Sequence, residues 1–246
     1  MTVFGQDYAA IYDDLYYDHD FDGDIKDVTD SIAKYMDFSV VKRSLLDVGC
    51  GTGVHLSKLQ NDYNVSGVDL SDAMLSICRN KLQVPLYQGD AKGFNIDRKF
   101  NVIIMMNAVL GYQSTNDDVK STIANIKQHL LPGGLFIFDV WNGHSVLQER
   151  PTERVKQYSV GNASIVRVVR PRLALDKNLC TCEYTWYTHT SDSLTIRSEN
   201  HRVRYFFNLE LEAHLAYHGY KVLEARKPQR CINAPLAWHK LYVAQL

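Results

Sequence analysis

Leu45-Leu46-Asp47-Val48-Gly49-Cys50-Gly51-Thr52-Gly53 decides the fold. Apolar residues at its start give a short strand, the glycines give a tight turn, and Val54–Asn61 reads as a helix. Glycine is required where the backbone takes positive φ or lies against a ligand with no Cβ between them. The spacing is G-x-G-x-G, with Val54 where a dinucleotide fingerprint wants a third glycine or alanine, and this disfavours a pyrophosphate ligand. Taken alone, the loop also fits an ordinary turn between strand and helix.

Two acidic positions sharpen the reading. Asp69 ends a second strand, Val65–Asp69, 22 residues beyond Asp47. A carboxylate there can accept hydrogen bonds from both hydroxyls of a ribose. Asp90 follows a third strand, Leu86–Gly89, at a place suited to an adenine amino group. Each has a plainer reading as a turn or cap residue, and Ser71 is a fitting N-cap for a helix over Asp72–Lys81. Jointly, the three strand ends fall on one edge of a parallel sheet, the edge where such folds bind ligands.

The rest of the chain fits this frame. Phe100–Met106 reads as a fourth strand, with a continuous apolar run from Val102 fit for burial on both faces. Asp117–Leu130 reads as a helix stopped by Leu131-Pro132-Gly133-Gly134, and Leu135–Val140 as a fifth strand. Strand–helix alternation with short links predicts a doubly wound, mostly parallel seven-stranded α/β sheet. After Trp141 the pattern changes. Val155–Arg170, Leu179–Thr188 and Leu194–Phe207 read as three successive strands without helices between them, an antiparallel β insertion. Helix returns at Leu209–His218, and Lys221–Ala225 and Lys240–Ala244 supply two last strands. The expected organisation is an N-terminal helical cap (1–43), an α/β domain (44–140 and 207–246), and an insertion (141–206) serving as an acceptor-binding lid.

Composition narrows the classes. Lys plus Arg (27) nearly cancel Asp plus Glu (28), so no overall basic field exists for nucleic acid. No stretch approaches the ~20 apolar residues of a membrane span. The N-terminus lacks the basic start and apolar run of a signal peptide, and a cytoplasmic location is expected. The five cysteines show no disulfide or zinc spacing, so no metal is expected. Cys180 and Cys182, two apart in a strand, should share a face.

The segments LLDVGCGTG, GVDLS, QGDA and LPGGLFIFDV together resemble the class I S-adenosylmethionine-dependent methyltransferases. The resemblance runs from about Tyr8 to Val140 and resumes at Phe207–Ala225 and the last strand. It implies S-adenosylmethionine as cofactor and S-adenosylhomocysteine as product. Gly49 and Gly51 would border the cofactor's methionine part, Asp47 would orient its amino group, and Asp69 would hold its ribose. Asp90 and Ala91 would flank the adenine, Met106 would sit beneath the cofactor, and Tyr12 would cover its carboxylate end.

Within that class the chain is most similar to the N-methyltransferases of deoxyamino-sugar biosynthesis, through Ala10-Ile11-Tyr12-Asp13, the glycine loop and Asn107–Tyr112. It also resembles methyltransferases encoded beside polysaccharide genes, through Phe138–Arg154 and Arg204–Phe207. The resemblance implies a small-molecule acceptor, best an amino sugar linked to a nucleotide. The amino-sugar enzymes carry a histidine near the acceptor amine where this chain has Tyr112. An N-terminal tyrosine of theirs falls at Phe4, and a basic residue before their last strand falls at Trp238-His239.

Methyl transfer from a sulfonium is an in-line displacement that alignment can largely accelerate. A base matters for hydroxyls and for amines that arrive protonated. Tyr112 and His144 are the candidate catalytic residues: a phenol with pKa near 10 suits positioning, and an imidazole suits proton removal. Tyr184, Trp186 and Tyr187 are candidates to line a pocket. Arg167, Arg170, Arg202 and Arg204 would clamp a phosphate if they share a face. O-methylation of a sugar or other small hydroxyl compound, a non-catalytic S-adenosylmethionine-binding protein and a nicotinamide-dependent oxidoreductase are the rival readings. The oligomeric state is left open, a homodimer included.

Overall fold

The computed structural model describes residues 4–37 and 42–246. Two N-terminal helices come first, α1 (Gln6–Leu15) and α2 (Phe21–Tyr35). Asp20 caps α2 by accepting from the Gly23 amide at 2.9 Å. Residues 38–41 of the expected cap lie outside the described residues.

The α/β core follows as β1 (Ser44–Val48), α3 (Val54–Leu59), β2 (Asn64–Asp69), α4 (Asp72–Lys81), β3 (Leu86–Gln88), β4 (Phe100–Met105), α5 (Asn116–His129) and β5 (Leu130–Asn142). Ser71 caps α4, as expected, accepting from the Met74 amide at 3.2 Å. The last α/β elements are α7 (Asn208–Tyr217), β10 (Lys221–Arg226) and β11 (His239–Gln245); between β5 and α7 stand α6 (Gly143–Glu149), β6 (Arg154–Val160), β7 (Ala163–Ala174), β8 (Leu179–His189) and β9 (Leu194–Phe206).

Seven strands pair in the order β3-β2-β1-β4-β5-β11-β10. The first five run parallel, and β11 lies antiparallel to β5 along its length, from His239 opposite Trp141 to Gln245 opposite Leu135. Alternation along the apolar runs feeds two cores. Leu46, Ile103, Met105, Phe136 and Phe138 pack under α5 and α7. Leu45, Val102, Ile104, Leu135 and Ile137 pack under α2, α3 and α4. The doubly wound expectation therefore holds, and the continuous apolar runs reflect burial on both faces.

The insertion corrects one expectation. Val155–Arg170 is not one strand but two, β6 and β7, joined at Gly161-Asn162 with Val160 opposite Ala163. Gly161 takes φ +58 at the first turn position, the geometry a two-residue hairpin demands. The four strands β6–β9 form an antiparallel ribbon. Its last strand joins the main sheet, where Trp141 and Asn142 of β5 pair in parallel with Tyr205 and Phe206. One eleven-stranded sheet thus runs through both parts.

Candidate active site

The glycine turn is held by its neighbours. Gly49 and Cys50 donate their amides to the Val68 carbonyl at 2.7 and 3.0 Å. Gly49 has φ +80, and a Cβ there would stand 2.7 Å from Val109. Gly51 has φ +54, and a Cβ there would meet nothing within 4 Å, so the turn is open on that side. One wall closes against the loop after β4 and the other leaves room for a ligand.

Asp69 buttresses the same turn. Its Oδ2 accepts from the Gly51 amide and its Oδ1 from the Ser71 amide, both at 2.8 Å. Each oxygen keeps a lone pair for a further donor. Asp47 stands at the tip of the adjacent strand, 1% exposed, with Oδ2 lacking any hydrogen-bond partner. The nearest cation source, His55 Nδ1, is 3.9 Å away. Burial, opposed by His55 and reinforced by Asp69, pushes the Asp47 carboxyl up to about 6. An orphaned buried carboxylate beside an open glycine turn fits the ammonium of an amino-acid moiety, and Asp69 fits a diol beside it.

Helix α1 covers this edge. Thr52 donates to Asp13 at 2.6 Å, and Lys81 pairs with the same carboxylate. Ser71 donates to the Phe4 carbonyl at 2.7 Å. The Tyr12 phenol is pushed above its ordinary range by burial, then by Tyr16, Asp69, Asp13 and Asp47, which places it in the field of both strand-tip carboxylates. Asp90 Oδ1 accepts from the Lys92 amide at 3.0 Å, folding the turn after β3, and Ala91 packs against the α5 side of the core. Met106 is buried among Val102, Ile104 and the helices of the opposite face.

On the acceptor side, Tyr112 lies in a 3-10 turn, Val109–Tyr112, and is 36% exposed. Its hydroxyl is 3.0 Å from Nδ1 of His201, a β9 residue only 2% exposed. His201 Nε2 is in turn 3.2 Å from Glu199 Oε2. Phe4 packs edge-on against Tyr8, Tyr112 and His201 at centroid distances of 5.3, 5.6 and 5.1 Å. His144 stands apart: it is exposed on the first turn of α6, its ring edge-on to Phe207 at 5.4 Å. The two candidate catalytic residues are thus not brought together, and Tyr112 has a different imidazole beside it.

Strand alternation sorts the remaining candidates. Tyr184 and Trp186 are stacked at 6.1 Å, and Tyr187, one residue on, projects from the opposite face of the ribbon. The four arginines do not form a clamp. Arg167 lies among Tyr158, Tyr184 and Trp186, Arg170 reaches Glu153, Arg202 is exposed, and Arg204 is buried against Glu210 and Asn116. Positions 167 and 170 differ by an odd number, so they project oppositely. Cys180 and Cys182 do share a face, with sulfurs 3.7 Å apart. His239 is taken up by Asp139, its Nδ1 2.5 Å from Oδ2. Among the described residues no group of three or more His, Cys, Asp or Glu side chains is placed to hold a metal ion. Nor is any described helix long and apolar enough to cross a membrane.

A seven-stranded doubly wound sheet with β11 reversed carries carboxylates at the tips of β1 and β2 beside a glycine turn. Residues 45–134 match the family model described as a methyltransferase domain. It is 32% identical over 139 residues to the dTDP-3-amino-3,4,6-trideoxy-alpha-D-glucopyranose N,N-dimethyltransferase of Streptomyces venezuelae, 55% of this chain and 57% of that one. The matched part therefore spans little more than half of that relative. Among solved structures, the sugar N-methyltransferase KedS8 from a Streptoalloteichus species superposes with a TM-score of 0.83 at 22% identity, covering 99% of this chain and 94% of that one. An S-adenosylmethionine-dependent methyltransferase from Clostridium acetobutylicum gives 0.81 at 23% identity, covering 98% of each chain. At such identities the two structures speak for the fold.

Proposed function

We propose that this chain is an S-adenosylmethionine-dependent N-methyltransferase whose acceptor is an amino sugar, best a nucleotide-linked one. The observation that carries the cofactor half is the orphaned Asp47 oxygen beside the open glycine turn. In this reading Asp47 takes the cofactor's ammonium, Asp69 its ribose diol, and Asp90 and Ala91 its adenine edge. Gly49 and Gly51 let the backbone approach its methionine part, Met106 supports it from below, and Tyr12 closes over its carboxylate end. The cofactor supplies an electrophilic methyl group on a positively charged sulfur. The chain's own residues align the acceptor, exclude water and remove a proton.

The amine acceptor rests on the N,N-dimethyltransferase relative and on Tyr112, which is 36% exposed beside the buried His201. Tyr12 and Tyr16 are among the groups that raise the Tyr112 phenol, behind burial and together with Tyr184, so the acceptor side and the cofactor side meet under α1. Residues 141–206 then serve as the acceptor-binding part.

Incubation with methyl-labelled S-adenosylmethionine and a panel of nucleotide-linked amino sugars, free amines and hydroxyl sugars tests this reading. Mass gain of one or two methyl units on nitrogen, located by NMR, is expected. Transfer to oxygen would replace the amine reading. Tight cofactor binding with no turnover on any compound would reduce the chain to a binding protein. Calorimetric preference for NAD over S-adenosylhomocysteine would reject the cofactor.

A further inference from the structure

Behind Tyr112 lies a line of polar atoms that cofactor binding does not use. Glu199 and His201 are two residues apart on β9, so both face the inner side of the ribbon. The line runs from Tyr112 Oη to His201 Nδ1 at 3.0 Å, then from His201 Nε2 to Glu199 Oε2 at 3.2 Å. A carboxylate only accepts, so Nε2 carries the imidazole hydrogen and Nδ1 presents the lone pair that receives the Tyr112 O–H. With its own hydrogen directed inward, the Tyr112 oxygen keeps its lone pairs for a donor arriving from outside. Of the three, the imidazole is buried, and Tyr112 reaches the surface.

We propose that Tyr112, His201 and Glu199 form a proton relay that deprotonates the acceptor ammonium before methyl transfer, Tyr112 touching the acceptor while His201 and Glu199 act through it as positioning residues. This rests on the amine reading given above. One ammonium N–H bond breaks and its electron pair stays on nitrogen. The proton joins the Tyr112 oxygen as the Tyr112 hydroxyl proton crosses to His201 Nδ1, leaving a neutral phenol and an imidazolium held by the Glu199 carboxylate. The freed nitrogen pair then displaces the sulfonium sulfur, and the C–S pair departs with sulfur. His201 returns its proton to solvent through Tyr112 once the product has left.

The surroundings suit this order. Phe4, Tyr8 and Tyr184 enclose the imidazole with ring centroids 5.1, 5.9 and 4.7 Å away, and Cys182 is its partner on β8. Burial holds His201 below its ordinary value, Arg167 pushes the same way and Glu199 opposes, so the ring is unprotonated and ready at neutral pH. Burial, with Tyr16, Tyr184 and Tyr12, holds Tyr112 above its ordinary range, so the phenol carries a proton and hands it on rather than ionising.

The test compares wild type with Tyr112→Phe, His201→Gln and the double variant. With an amino-sugar acceptor near pH 7, each single variant should lose about 10²-fold in kcat, the scale of general-base assistance. The double variant should lose no more than either single one, because one path is broken twice. Toward about pH 9 the loss should shrink as the amine arrives unprotonated, while KM for S-adenosylmethionine stays put. Losses that multiply in the double variant, or that are equal at both pH values, would overturn the relay.

A second arm needs no acceptor. 15N NMR of the His201 imidazole should show hydrogen on Nε2 and an accepting Nδ1 that shifts in Tyr112→Phe. Hydrogen on Nδ1 would overturn the relay whatever the substrate. Wild type that binds the cofactor but methylates no amine, with His201 in the expected tautomer, would sink the amine reading and, with it, the relay's role in catalysis.

Discussion

A buried carboxyl with nothing to hold is an expensive residue unless something arrives to meet it. Asp47 is that residue, and its chemistry sets a pH test. Its folded pKa is raised to about 6, from an ordinary value near 3.9, chiefly by burial. The ligand-free protein therefore gains from the protonated form and loses that contribution as pH rises from about 4 through about 6. An ammonium ligand reverses the preference, since it needs the carboxylate. S-adenosylmethionine affinity should climb between about pH 5 and about pH 7, with release of close to one proton at about pH 5 falling toward none at about pH 7, measured by calorimetry in two buffers of different ionisation enthalpy. Asp47→Asn should abolish the proton release. Asp69→Ala should weaken binding by about 10- to 10²-fold, the worth of charged hydrogen bonds. If Asp69→Ala leaves the affinity unchanged, the ribose assignment falls.

Among elements, α1 is held both by packing, with Tyr8, Ala9 and Leu15 buried beside Met74, Tyr158, Ile165 and Trp186, and by charges at its surface. Asp13 ties it to Thr52 and Lys81, and Asp7 ties it to Arg197 on β9. Asp13→Ala should speed amide exchange across Gln6–Leu15 and raise KM for S-adenosylmethionine several-fold, with exchange in β7 and β8 unchanged. Exchange spreading into β7 and β8 would mean a global effect instead. The core strands were legible because burial on both faces writes consecutive apolar residues, as in Val102–Met105. The two-residue hairpin at Gly161-Asn162 was missed because valines on both sides continue the strand pattern across it. The glycine turn and Asp69 could be read locally, since the contacts between them lie within a few residues of a strand end. His201 could not: it meets Tyr112 only through pairing of β9 to β8 and to the tip of β5. The Glu199-x-His201 spacing on β9 was the one available signal, and it points to a partner only once the face is known.

Over the whole molecule, a buried charge network binds the N-terminal helices to the sheet. Asp24, fully buried, meets His19, His55 and Arg230, and Arg230 continues to Asp139 at 2.7 Å. Asp139 also accepts from the Ala108 amide at 3.2 Å, which anchors the loop that leads to Tyr112. Burial alone would raise the Asp139 carboxyl, but Arg230 and His239 outweigh it and bring it to about 2. Asp24 is likewise lowered, the hydrogen bonds from His19 and His55 and the charge of Arg230 overcoming burial. Depressed carboxyls stabilise the fold above their unfolded value near 3.9 and lose that contribution as pH falls toward about 2. Stability measured by urea melts should therefore drop between about pH 4 and about pH 2. Arg230→Met should cost about 3–5 kcal/mol at neutral pH, because it strands two buried carboxylates. The acid step should be much weaker in that variant, and a full step would place its origin elsewhere.

The pairing of Trp141 and Asn142 with Tyr205 and Phe206 has a mechanical meaning. A backbone ladder joins the α/β sheet to the β6–β9 ribbon at their seam. In the function proposed above, admission and release would then fall to α1, which contacts both α4 and β6. Exchange of spent donor and of finished product should share one bottleneck, and loosening that helix should hasten both departures together.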